Sequence, residues 1–237
     1  MKTKTITLLI LFIALGLGQN VIAKRVKGSG KVIKETRSLS SFHSLDVGGA
    51  FNVELIKSDE EKIIIETDDN IMPYIKTKIS GGELEIYNDI DINNPTKLGI
   101  IIYYKNFDEL DISGAAELFS SDILETESLE FDFSGASEIT LKIKVTNLDA
   151  EISGASKVDL DGNAANAEFD ISGAAEVRAY GLEINKMDLE ASGASNVRVL
   201  VLDKFTIDAS GASSVRYKGS PSLNVEDVSG AASFRKG

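Results

Sequence analysis

Acidic side chains return at one fixed place along most of this sequence. Asp111, Asp132, Glu151, Asp170, Glu190, Asp208 and Asp227 each stand two residues before a Ser-Gly-Ala tripeptide, and Asp46 holds the same place before the degenerate copy Gly48-Gly49-Ala50. Four residues before the serine, Glu109, Glu130, Asp149, Glu168 and Asp188 form a second series. Ionised carboxylates only accept hydrogen bonds, so rows of them suit divalent cations or a basic surface. Calcium favours six to eight oxygens converging on one point, which a flat row supplies poorly. The plainer alternative is a solvated strand face whose charge discourages edge-to-edge aggregation.

A basic series lies on the other side of the tripeptide, six residues past the serine, at Arg178, Arg198, Arg216 and Arg235. Earlier copies carry Phe119, Thr140 and Asp159 there. Planar guanidinium groups fork to carboxylates and sulfates, so this series suits a sulfate- or uronate-bearing ligand, or simple pairing with neighbouring acids.

Catalytic constellations are not legible. The single histidine, His43, precedes the repeats, and a lone imidazole without a second partner in the pattern reads as a surface or turn residue. Asp68-Asp69 is followed by Asn70 and Pro73, a turn signature. With no cysteine, thiolate chemistry, disulfides and Cys-ligated metal are excluded. Gly28-Ser29-Gly30 lacks the residues of a phosphate loop. The expected site is therefore a binding one, with no catalytic residue, no metal centre and no cofactor. β-Helix enzymes that cleave polysaccharides are the rival class, but they interrupt their repeat to gather acids in a cleft, whereas here the acids follow the repeat.

The elements that must position these residues follow from the period. Ser-Gly-Ala begins at Ser113, Ser134, Ser153, Ser172, Ser192, Ser210 and Ser229, at spacings of 21, 19, 19, 20, 18 and 19. Apolar residues alternate with polar ones on both sides, as in Phe131 and Phe133 before one copy and Ile139 after it. Period two means strands with one face buried. Each repeat thus reads as strand, Ser-Gly-Ala corner, strand, loop. One such unit cannot bury its apolar face alone and must stack on its neighbours.

The expected fold is all-β, a right-handed parallel β-helix or solenoid with coils of about 19 residues, equivalent positions falling into columns about 4.8 Å apart. Glycine at the corner permits a backbone angle closed to other residues or a close approach between coils; the alanine is expected to fill the inside of the turn. A β-propeller is the competing architecture, but its blades need about 40 residues. Residues 24–110 are less regular and read as a β-rich N-terminal part continuous with the solenoid of residues 111–237.

The segment from Phe42 to Leu55 (FHSLDVGGAFNVEL), followed by Ile63 to Ile75 (IIIETDDNIMPYI) and then the Ser-Gly-Ala series, resembles the head GIN domain of putative auto-transporter adhesins. The resemblance covers the chain from about Lys31 to its end. It implies an exported, adhesive envelope protein shaped like a parallel β-helix, and it supplies no catalytic residue. The function expected is a non-catalytic adhesion or interaction scaffold whose partner is a cell-surface glycan or an envelope protein; a carbohydrate-binding module or a polysaccharide hydrolase or lyase is the alternative.

Composition agrees with an exterior role. Met1 to Ala23 carries Lys2 and Lys4 ahead of a short apolar run, the layout of a secretory signal peptide cut after Ala23. The run is shorter than the roughly 20 apolar residues a membrane span needs, so no integral membrane domain is expected in the mature chain. Removing two lysines leaves 37 acids against 23 bases, a net charge of −14 that repels nucleic acid. Periplasm, outer surface or secretion are the expected locations. Expression of the whole chain in a bacterium and N-terminal sequencing of the exported product should read Lys24-Arg25-Val26; a product that retains Met1 contradicts the leader.

Overall fold

In a computed structural model the residues described are 25–237; the leader, residues 1–23, lies outside them. Nearly every element is a strand, and the exception is a single 3-10 turn at Met72–Tyr74. The repeats form one parallel stack. Glu117–Phe133 pairs with Glu138–Ile152, that with Lys157–Ile171, then Glu176–Ala191 and Asn196–Ala209, each pairing parallel and aligned repeat to repeat, with register shifts at bulges such as those after Phe119 and Ala179. Ser214–Lys218, Ser222–Val228 and Ser233–Lys236 complete the C-terminal end.

The stack extends upstream of the first tripeptide. Glu109–Gly114 lies between Glu117–Phe133 and Ser44–Gly49, and Ser44–Gly49 pairs in turn with Glu83–Asn88, all parallel. On the next face Asn52–Lys57 joins Glu117–Phe133 to Leu98–Tyr104. Beyond these the pairing turns antiparallel, at Ile75–Ser80 on one face and at Lys62–Asp68 with Val32–Ser38 on the other. An antiparallel strand runs against the coil direction, so the parallel stack stops there.

Asp68 fastens this end. Its side chain is fully buried and accepts hydrogen bonds from the Gly30 amide (2.7 Å), the Thr96 amide (2.7 Å) and the Thr96 hydroxyl (2.8 Å). Burial works to raise the carboxyl's pKa, but the Thr96 and Gly30 hydrogen bonds outweigh it and hold the group below the usual range. The Asp68-Asp69 pair is thus a turn and a clasp: Ile71 donates its amide to the Asp68 carbonyl at 2.9 Å.

Two features of the repeat differ from the sequence reading. The expected loop after each corner is absent among residues 117–209; each strand runs 14 to 17 residues and bends in place. Bending at bulges, or at Gly162 with φ 113°, lets nearly every residue keep its bond to the coil above, which a loop would forfeit. The alanine of the tripeptide points outward: Ala136, Ala155 and Ala174 are exposed, and the next residue, Ser137, Ser156 or Ala175, is the buried one. The tripeptide's own backbone explains this. Ser134 donates its amide to Ile112 O at 2.9 Å and Ala136 to Gly114 O at 2.7 Å, so the ladder runs through the corner and the chain turns inward only afterwards.

Both uses of glycine occur together at the corner. Gly154 has φ 73°, and a Cβ placed on it would lie 2.3 Å from the Gly135 carbonyl oxygen of the coil before. The same relation recurs from Gly114 to Gly230. Inside, apolar columns fill the stack: Leu110, Phe131, Ala150, Phe169, Leu189 and Ile207 are all in register and no more than 1% exposed. Ala150 separates two phenylalanines, so small and large residues interdigitate along one column. At the last coil nothing lies above the column, and Leu223, Val225 and Val228 are 46%, 47% and 38% exposed.

Replacing Gly154 by Ala should cost about 2–4 kcal/mol, from the left-handed backbone and the clash with Gly135 O together. The exposed Ala155→Ser should change stability by less than about 0.5 kcal/mol. Urea unfolding of both variants checks this, and equal effects would contradict the stacking of the corners.

Candidate functional site

The acids two residues before each serine form one ladder. Asp111, Asp132, Glu151, Asp170, Glu190, Asp208 and Asp227 pair rung to rung, and Asp46 pairs with Asp111. The ladder goes one rung further than the repeat indicates, to Glu85 beside Asp46. Glu85 has no tripeptide after it; its only signal was the alternation Glu83-Leu84-Glu85-Ile86.

Like charges about 4.8 Å apart repel by about 0.9 kcal/mol in water and about 3.5 kcal/mol at an effective dielectric near 20. The consequence concentrates at the N-terminal rungs. Partial burial, reinforced by Asp46, Asp132, Glu109 and Glu83, pushes the Asp111 carboxyl up to about 6. Burial, then Glu83 and Glu85, raises Asp46. Lys78 lies 3.5 Å from Glu85 and relieves the first rung. Among the described residues no three His, Asp or Glu side chains converge so as to hold a metal ion.

The arginine column is likewise in register, Arg178, Arg198, Arg216 and Arg235 lying one over the next with Asp159 beside Arg178. Its two halves differ. Glu176 bridges Arg178 (2.9 Å) and Arg198 (3.1 Å), and Arg178 also reaches Asp159 at 3.8 Å. Those hydrogen bonds from Arg178 hold Glu176 below the usual carboxylate range against an opposing effect of burial. The position of Glu176 becomes Asn196, Ser214 and Ser233 in the following coils. Among the described residues Arg216 and Arg235 consequently have no ion pair within 4 Å. Simple pairing explains the first two arginines and, among the described residues, not the last two.

A feature that the tripeptide pattern does not mark lies alongside the acids. A groove of about 720 Å³ follows the solenoid axis. One wall is the second acidic series, Glu109, Glu130, Asp149, Glu168 and Asp188, ending in Thr206. The other wall, two residues earlier on the same strands, is Ser128, Asn147, Asn166, Lys186 and Lys204. Leu129, Leu148, Ala167 and Met187 form the floor. Asn166 donates to Asn147 Oδ1 at 3.0 Å and Asn147 to Ser128 Oγ at 3.3 Å, a short amide ladder. His43 lies at the N-terminal mouth, exposed, with Nδ1 3.6 Å from Asp108 Oδ1. The residue types along the second wall change from coil to coil, so no repeat announced it.

Comparison with known proteins follows the same lines. Residues 41–221 match the family model described as "Putative auto-transporter adhesin, head GIN domain". A solved putative adhesin from Parabacteroides merdae is 21% identical, with a TM-score of 0.74 over 90% of this chain and 99% of that one. One from Bacteroides fragilis is 21% identical, with a TM-score of 0.79 over 89% and 95%. A putative lipid binding protein from Parabacteroides distasonis is 22% identical, with a TM-score of 0.67 over 90% and 99%. At these identities the likeness is one of fold. No curated protein matches the chain.

The raised Asp111 carboxyl has a measurable effect. The folded chain keeps its proton up to about pH 6 while the unfolded chain releases it near 3.8, so this group's contribution to stability falls as pH rises through that window. Asp111→Asn should raise the melting temperature by roughly 2–4 °C near neutral pH, about 1 kcal/mol after allowing for solvent screening, and by nothing near pH 4. An equal gain at both pH values would contradict the ladder's charge repulsion.

Proposed function

From the premise that this chain belongs to the head GIN domain family of putative auto-transporter adhesins, we propose that it is an exported, non-catalytic adhesion or interaction scaffold of the cell envelope. The observation that carries this reading is the regularity of the polar columns. Acids, amides and arginines repeat at the coil pitch on the outer faces, and each offers many weak contacts in a row rather than one convergent centre. Such a surface suits avidity, in which repeated modest contacts on a partner multiply.

Support comes from chemistry as well as form. The one imidazole lies 64% exposed beside a single carboxylate, without the buried, hydrogen-bonded partners that hold a general base in place. Among the described residues no helix is long and apolar enough to cross a membrane. Partners of two kinds fit the charged columns: a basic surface along the Asp132 to Asp227 ladder, and an anionic group such as a sulfate or uronate at Arg216 and Arg235.

Beads coated with the purified protein should adhere to epithelial and bacterial cell surfaces more than albumin-coated beads do. Arg216→Ala with Arg235→Ala should lower adhesion to sulfated or uronate-rich surfaces by about threefold or more, and Arg178→Ala, whose partner is internal, by less. Absence of adhesion on every surface, or release of reducing sugar or unsaturated product from polysaccharides, would overturn the scaffold reading.

A further inference from the structure

The groove beside the acidic ladder holds polar groups that the fold itself does not use. Among the described residues, Glu130, Asp149, Glu168 and Asp188 on one wall have no ion pair and no hydrogen bond to another side chain, and neither do Lys186 and Lys204 on the other. Acids and lysines that line one groove without pairing to each other leave both sets open to something between them.

Thr206 adds an independent sign. It occupies the rung where the acidic series ends, is only 5% exposed, and lines the groove, yet its hydroxyl has no hydrogen-bond partner among the described residues. The side chain is packed but its oxygen is not fully enclosed, so the hydroxyl opens onto the groove and is free to pair with a ligand group at this end.

From these groups we infer that the groove binds a linear, uncharged glycan lying along the solenoid axis. Carboxylates only accept, ammonium groups only donate, and amides and hydroxyls do both. A chain of sugar hydroxyls, each donor and acceptor, satisfies all four kinds at once. A polyanion meets the acidic wall and is repelled; a polycation meets Lys186 and Lys204. An extended peptide is a poorer fit, because the strands under the groove are already paired on both sides and offer no free edge for main-chain hydrogen bonds.

Spacing agrees with chemistry. The two walls stand about 6.6 Å apart along the strand, and each coil advances about 4.8 Å, so successive sugars meet equivalent rungs. No aromatic ring but His43 lines the groove, so stacking adds little and each rung binds weakly. Affinity then grows with the number of rungs engaged. This inference rests on the adhesive reading and names the class of ligand that the groove contributes to it.

The test is calorimetric titration of the purified protein with neutral linear oligosaccharides, from disaccharide to hexasaccharide, of β-1,4-linked glucose, β-1,4-linked N-acetylglucosamine and α-1,6-linked mannose. At least one series should bind, with affinity rising tenfold or more from shortest to longest and unchanged by added salt. Asn147→Leu with Asn166→Leu should reduce that affinity at least tenfold, and the near-isosteric Thr206→Val about threefold for the hexasaccharide, while Ala155→Ser, exposed and outside the groove, leaves it within twofold. Circular dichroism of each variant establishes that the fold is kept. Failure of all three series to bind, binding indifferent to the groove variants, or salt-sensitive binding of an oligolysine peptide in place of the sugars would each overturn the inference. Bead adhesion measured on the same groove variants separates the two readings: adhesion that persists unchanged leaves the scaffold standing and removes the groove from it.

Discussion

Backbone hydrogen bonds that pass from each coil to the next without a break at the corner are the constraint from which the rest follows. Ordinary turns interrupt a ladder, because side chains and backbone curvature push neighbouring chains apart. Here the corner glycines lie so close over one another that a methyl group would touch the carbonyl beneath. Positive φ at the same residue lets the chain turn while the serine and alanine amides on either side still reach the previous coil. Parallel registration is then enforced at every repeat, and a slip of one residue would put the apolar columns on the outside.

Strict registration has an electrostatic consequence. Whatever a repeat carries on its outer face is copied at the coil pitch, so acids stack on acids and arginines on arginines. The molecule manages this differently along its length. Near the N-terminal end, where the rungs are partly buried, repulsion and desolvation act together on Asp46 and Asp111. In the middle, Lys144 with Glu125 and Lys157 with Glu138 pair across coils. Toward the C-terminal end Arg216 and Arg235 face solvent without an ion-pair partner among the described residues. That progression, rather than any single residue, distinguishes one end of the scaffold from the other as a contact surface.

Much of this is legible in the sequence. The spacing of Ser113 to Ser229 announced the stack, and Asp111 to Asp227 and Arg178 to Arg235 lie in register as their offsets implied. The misses have physical reasons. Glu85 escaped because it joins the ladder through pairing with Ser44–Gly49 and not through a repeat of its own. Ala155 was placed inside because small residues near a glycine suggest a tight interior, whereas the ladder carries the chain past it before turning. The second wall of the groove was hidden because registration preserves position and not residue type: Ser128, Asn147, Asn166, Lys186 and Lys204 share a place and little else. Thr206 was hidden for the same reason, as its significance lies in what does not touch it.

The most direct measurement is a distance along the ladder. The chain has no cysteine, so Asp132→Cys and Asp227→Cys give a uniquely spin-labelled pair on two exposed rungs. Their positions are five coils apart, and pulsed electron spin resonance should find one narrow distribution centred near 24 Å between the backbones, at about 4.8 Å per coil. A broad distribution, or one centred far from that value, would mean that sequence period does not become spatial stacking, and the columns and the groove built from them would fall with it.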